Sequence, residues 1–115
     1  MDKPTLIEAH DGQKLRWIAS YKGIMAAELT AEITDNNAIL HNRVYLWSKS
    51  LCREYLGMFV RIREQLRRMG VLLVMVCSDH YTEKMGKYWK LMGFAIRYEV
   101  PGTGASRIPC AVMEV

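Results

Sequence analysis

The sequence predicts an α/β (α+β) fold, and three adjacent stretches carry that prediction. Residues 71–77 (VLLVMVC) form an uncharged run, short for a helix and right for a strand buried on both faces. From Thr82 the period changes: Tyr81, Met85, Tyr88 and Met92 share one side of a helix over about 81–92, while Glu83, Lys84, Lys87 and Lys90 face water. Gly93 closes that helix, and residues 94–100 then alternate, with Phe94, Ile96 and Tyr98 opposite Ala95, Arg97 and Glu99. Strand, helix, strand is the unit onto which the rest is built.

Upstream, residues 4–9 form a short extended candidate ended by Asp11-Gly12. Residues 14–21 alternate around Leu15, Trp17 and Ala19, and Lys22-Gly23 turns the chain into residues 24–33, read as the return strand of a hairpin although Ala, Glu and Leu also suit a helix. After the turn residues Asp35, Asn36 and Asn37, a third strand runs over 38–47 with Ile39, Val44, Tyr45 and Trp47 as its β-formers. The strongest helix follows, over about 50–69. Leu51, Tyr55, Phe59, Ile62, Leu66 and Met69 form its apolar stripe, against Arg53, Arg61, Glu64, Arg67 and Arg68. Ser48 or Ser50 is its N-cap and Gly70 its terminator. At the far end, the 101–106 connection PGTGAS reads as a hairpin loop, and residues 108–115 as a final strand whose Pro109 argues for a sheet edge or a bulge.

Composition limits the function classes. A chain of 115 residues, half of them hydrophobic, is read as a single domain spanning 1–115 that buries its own core. Three cysteines (Cys52, Cys77, Cys110), each in an apolar pattern and without a CxxC, read as buried reduced thiols of a cytoplasmic protein, with no metal spacing. No apolar run reaches the about 18 residues of a membrane span, and the N-terminus lacks the charged-then-apolar order of a signal peptide. A net charge of +4 falls far short of a nucleic-acid footprint, and no aromatic platform interleaves with the basic helix face. Ser78-Asp79-His80 contains triad residue types, but neighbours in a turn read first as cap and turn residues. His80 and His41 are candidate bases, because imidazole titrates near neutrality.

The order of elements, with a long helix ending in RRMG and a second helix closing on YWKLMGF, resembles the fold of the GNAT N-acetyltransferases over about residues 14–115. Residues 82–94 follow the spacing of that family's motif N-x-x-A-x-x-F-Y-x-x-x-G-F. The resemblance implies a mixed, mostly antiparallel sheet of about five to seven strands with the two helices as its principal cover. Residues 43–66 (RVYLWSKSLCREYLGMFVRIREQL) are also similar to small GNAT-like internal virion proteins of short-tailed phages.

Several positions depart from the family pattern. Active members carry a turn resembling Q/R-x-x-G-x-G/A, whose backbone amides hold the coenzyme A pyrophosphate at a helix N-terminus. Here the turn is Trp47-Ser48-Lys49-Ser50-Leu51-Cys52-Arg53, without glycine. Trp89 stands where the family often has a tyrosine acid, Tyr88 is turned by about 100° from it, and Thr82 replaces the motif asparagine. Only a few residues separate the first two strands, where the family places two helices that wall the acceptor groove.

Two functions are compatible with these residues. The first, which the altered turn, Trp89 and the missing wall favour, is a non-catalytic or weakly active phage component, in the virion or host cytoplasm, that meets a protein partner or a second copy through the open groove face. The second is an acetyl-CoA-dependent N-acetyltransferase with a degenerate phosphate turn. For it the resemblance implies Tyr88 and His80 as acid or base, and Val44, Leu46, Trp47, Ser50, Leu51, Thr82 and Trp89 as the cofactor's contacts, with no metal.

Overall fold

A computed structural model describes residues 3–12, 14–77, 82–101 and 107–115. Ser78 to Tyr81 and the 102–106 loop, and with them His80 and the Ser-Asp-His run, lie outside the described residues. Nine elements follow in order: β1 (Thr5–Glu8), β2 (Lys14–Tyr21), β3 (Ile24–Thr34), β4 (Asn37–Val44), α1 (Lys49–Arg68), β5 (Leu73–Cys77), α2 (Glu83–Met92), β6 (Ala95–Pro101) and β7 (Arg107–Glu114). They build one seven-stranded sheet in the order β1-β2-β3-β4-β5-β7-β6.

The first four strands are an antiparallel meander set by its turns. Lys22 and Gly23 both adopt positive φ, 52° and 76°, the backbone of a two-residue hairpin turn, and Asp35 at φ 54° turns β3 into β4. Those turns fix β3 as a strand rather than a helix, because Leu29, Ala31 and Ala27 then alternate inward against Trp17, Leu15 and Ala19 of β2.

A crossover through α1 then makes β5 parallel to β4, in the register Asn37↔Leu73 to Leu40↔Val76. The Asn36 carbonyl fixes that register by accepting from both Leu72 N (2.7 Å) and Leu73 N (3.3 Å). Val71 is buried just ahead of the strand rather than within it.

The helix α1 is capped by Ser48, whose hydroxyl accepts from Leu51 N at 3.1 Å, so the cap is Ser48 and not Ser50. Its stripe is Leu51, Tyr55, Met58, Phe59, Ile62 and Leu66. Met69, expected in the stripe, is instead the C-cap residue and half exposed; Met58 buries in its place, three residues after Tyr55 and four before Ile62. The Phe59 ring of α1 packs against Phe94, just past the Gly93 end of α2, with centroids 5.7 Å apart.

Two strand expectations change. β4 ends at Val44, not Trp47, because Tyr45 N and Leu46 N both turn to the Ala26 carbonyl, at 2.9 and 3.0 Å. β7 is interior, between β5 and β6, so Pro109 is not on an edge strand. It is tolerated because β5 pairing begins only at Cys110, and Pro109 faces Glu99 of β6 beyond a register shift at Ile96/Tyr98. That shift also interrupts the simple alternation read for residues 94–100.

No helix among the described residues is long and apolar enough to cross a membrane. Gly93 ends α2 at φ 106°, and a Cβ there would meet Met113 Sδ at 3.2 Å. Gly93→Ala is expected to cost about 1–2 kcal/mol, read as a lower urea midpoint with an unchanged slope. Ser48→Ala is expected to cost about 1 kcal/mol in the same assay.

Candidate functional site

The described parallel pairing of β4 with β5 runs from Asn37↔Leu73 to Leu40↔Val76, β5 ends at Cys77, and β4 continues along β3 as far as Val44. The last residues of β4 thus run on past β5, and the turn 45–48 leads from them into the N-terminus of α1. The turn 45–48 between β4 and α1 is held by side chains rather than by glycine. Tyr55, one turn into α1, donates its hydroxyl to the Leu46 carbonyl at 2.8 Å and lies 3.4 Å from the Ala26 carbonyl. The Trp47 indole packs edge-on against Tyr88 of α2, centroids 5.6 Å apart, and Lys84 Nζ sits 4.6 Å from the centre of the same indole. Lys84 and Tyr88 are four residues apart, so one face of α2 clasps the turn from both sides.

The expected cofactor contacts fall into three groups. Val44, Leu46 and Trp47 do lie together at the end of β4, but Leu46 N, Leu46 O and Tyr45 N are all engaged within the protein. Ser50 is exposed in the first turn of α1, its hydroxyl 3.3 Å from that of Ser48, whereas Leu51 is buried and its amide capped. Thr82 and Trp89 have structural positions. The Thr82 hydroxyl caps α2 by accepting from Met85 N at 3.2 Å, and Trp89 is 1% exposed within the core.

Tyr88 lines a cavity of about 40 Å³ between the two helices and the inner face of β1–β4, together with Tyr55, Met58, Trp17 and Asn42. Burial pushes the Tyr88 hydroxyl far above the usual phenol range, and the nearby Cys52 and Tyr55 add to the shift. Tyr55 is also raised, again first by burial and then by Cys52. Cys52 is a free, partly buried thiol on α1, and Cys110 is buried on β7. Among the described residues, no group of His, Cys, Asp and Glu side chains could hold a metal ion.

Sequence reading passed over Tyr55, Lys84 and Asn42. Asn42 had a visible signal, as the one polar residue in the phase of Ala38, Leu40 and Val44. Lys84 and Tyr55 had none, because their partners are distant in the chain.

Among the described residues, no helix lies on the outer face of β1–β4 or between β1 and β2. Its exposed residues are mostly charged, with Arg16 paired to Glu28 and Lys14 to Glu32 across the strands, His41 and Arg43 beside them, and Ile7 and Ile39 the exposed apolar ones.

Solved structures share this architecture. An aminoglycoside 6′-acetyltransferase type Ii superposes with a TM-score of 0.73 at 10% identity, over 90% of this chain and 70% of its own. An acetyltransferase of Bacillus subtilis in complex with CoA gives 0.69 at 8% identity, over 98% of this chain and 99% of its own. The ribosomal-protein-S18-alanine N-acetyltransferase of Escherichia coli gives 0.66 at 17% identity, over 91% and 71%. No family model matches the chain, and no curated protein matches it in sequence. Nothing among these structures supports the expected virion role.

The two raised phenols hold their protons more tightly folded than unfolded. Their contribution to stability is therefore complete below the unfolded value, about pH 10, and is lost as pH rises through the folded values. In a spectrophotometric titration, part of the phenolate absorbance is expected to lag behind that of the urea-unfolded chain, and Tyr55→Phe and Tyr88→Phe should each remove one lagging group.

Proposed function

We propose that this chain, which has the GNAT acetyltransferase fold, acts as an acetyl-CoA-dependent N-acetyltransferase, with its site at the end of β4 beside the N-terminus of α1. The observation that carries the proposal is the gathering of Trp47, Lys84 and Tyr88 against the turn between β4 and the start of α1. The B. subtilis neighbour that matches this chain nearly end to end is a CoA complex.

The donor set around this turn fits a diphosphate. The first turn of α1 contains no acidic residue, and Lys49 and Ser50 at its start carry amides without an i−4 partner. Lys84 adds a cation on the opposite side of Trp47. Lys49, Ser50 and Lys84 would hold the phosphates, with Trp47 as an apolar wall for the arm that follows. When bound, the thioester supplies an activated acyl group.

Tyr88, kept protonated by burial, is retained as the candidate hydroxyl that would donate a hydrogen bond to a departing sulfur. His80 is retained as the candidate base for the amine. The uncovered outer face of β1–β4, opposite the helices, is where a protein partner or a second copy would dock. Charge rather than apolar area would govern that encounter.

Calorimetric titration with acetyl-CoA and with CoA tests the reading. Micromolar binding is expected, weakened at least ten-fold by Ser50→Asp, which places a carboxylate where the phosphates would sit. No heat and no thermal shift at millimolar ligand would overturn it. With an amine acceptor in hand, Tyr88→Phe is expected to lower turnover by roughly 10²-fold with little change in KM for acetyl-CoA.

A further inference from the structure

The excess positive charge of the chain is carried by its two helices. α1 and α2 hold nine lysines and arginines against three glutamates, whereas the remainder of the chain has seven against nine acidic residues. Arg67 and Arg68 are paired with Glu64. Arg53, Arg61, Arg63, Lys87 and Lys90 are exposed, and none of them has an ion pair among the described residues. A merely solvated helix face is polar throughout. Here the two most exposed large hydrophobic side chains among the described residues sit on these helices, Val60 at 66% and Leu91 at 70%.

Both belong to the seam between the helices. Tyr55 and Phe59 of α1 and Tyr88 and Met92 of α2 line one cavity beneath the pair, and Phe59 meets Phe94. Leu91 comes three residues after Tyr88, on the flank of α2 turned toward α1. Leu56, half-buried three residues before Phe59, and Val60, one turn further on, climb the facing flank of α1 toward solvent. Gly57 stands beside them in the middle of a 20-residue helix, where glycine is the least favourable residue after proline. Nothing lies within 4 Å of a Cβ built on it, so no contact inside the chain calls for its small size. What it leaves is room for the backbone of another molecule to come close.

We propose that the outer surface of the helix pair docks an acidic amphipathic helix of a partner protein. The apolar stripe of that helix lies along Leu56, Val60 and Leu91 and approaches closely over Gly57. Its carboxylates meet Arg53 and Arg61 on the α1 rim and Lys87 and Lys90 on the α2 rim. Charge complementarity selects an acidic occupant, and the aliphatic floor selects a protein over a nucleic acid, because no aromatic side chain of α1 or α2 is exposed to stack a base. None of these residues belongs to the proposed acyl-CoA site, so the inference is independent of that reading.

The test is fluorescence anisotropy with a labelled peptide of about 20 residues, long enough to be helical, carrying leucines at i, i+3, i+4 and i+7 spacing, glutamates beside them and alanines elsewhere. A second peptide has lysine for every glutamate, and a single-stranded oligonucleotide is the third probe. The acidic peptide is expected to bind with a micromolar Kd, roughly ten-fold or more tighter than the basic one, and to weaken as salt is added. Val60→Asp, Leu91→Asp and Gly57→Leu should each lower its affinity by roughly ten-fold or more, with thermal unfolding of each variant to show that it is folded. Gly57→Ala should raise the unfolding midpoint of the free chain while weakening the peptide, a split that a purely structural role would not produce. No binding at millimolar acidic peptide, equal affinity for the two peptides, or affinity unchanged in Val60→Asp and Leu91→Asp overturns the proposal. An oligonucleotide bound more tightly than the acidic peptide, and equally well by Val60→Asp, overturns it in favour of a nucleic-acid surface.

Discussion

The short parallel contact between β4 and β5 governs the molecule. Four residue pairs, Asn37↔Leu73 to Leu40↔Val76, join the two halves of the sheet. The bifurcated bond from Leu72 N and Leu73 N to the Asn36 carbonyl starts the contact at the turn. A parallel pair needs a long crossover, and α1 supplies it; the helix can then lie only across the inner face of the strands it connects. β4 follows β3 for its full length while β5 follows β7 and ends at Cys77, so the end of β4 runs on past β5 toward the start of α1.

A strand end that runs past its neighbour exposes backbone groups that must be satisfied. Here aromatic side chains share that role with the backbone. Ala26 O accepts two amides, Leu46 O accepts the Tyr55 hydroxyl, and Trp47 is held between Lys84 and Tyr88. An aromatic pair adds about 0.5–1.5 kcal/mol beyond burial and a partly exposed cation–π contact about 0.5–1 kcal/mol. The turn is rigid where a glycine turn would be permissive. Its amides are largely spent, so recognition of an anion there depends on the start of α1 and on lysine side chains.

The two sides of the sheet obey different rules. The inner side is packed, with Trp17, Leu40, Leu66, Val74 and Trp89 almost completely buried. The outer side of β1–β4 is solvated and laced with cross-strand ion pairs, as an antiparallel sheet permits. Exposed pairs of this kind add little stability. Their consequence is a face whose charges sit in fixed rows on a rigid sheet.

The sequence by itself determined nearly every element of this protein. Helical and strand periods, the Lys22-Gly23 turn, a serine cap at 48 or 50 and the Gly93 terminator are local chemistry, decided within a few residues, and for that reason legible. It also determined that the turn before α1 has no glycine and that only a few residues separate the first two strands. Only the tertiary structure decided that β7 is interior, that β4 stops at Val44, that Trp89 belongs to the core, and that Lys84, Tyr88, Tyr55 and Asn42 converge on one end of one strand. Each of these depends on which strand lies beside which and on where each strand ends. Those are contacts between residues tens of positions apart, set by packing two helices on one face of a twisted sheet, and no local period records them.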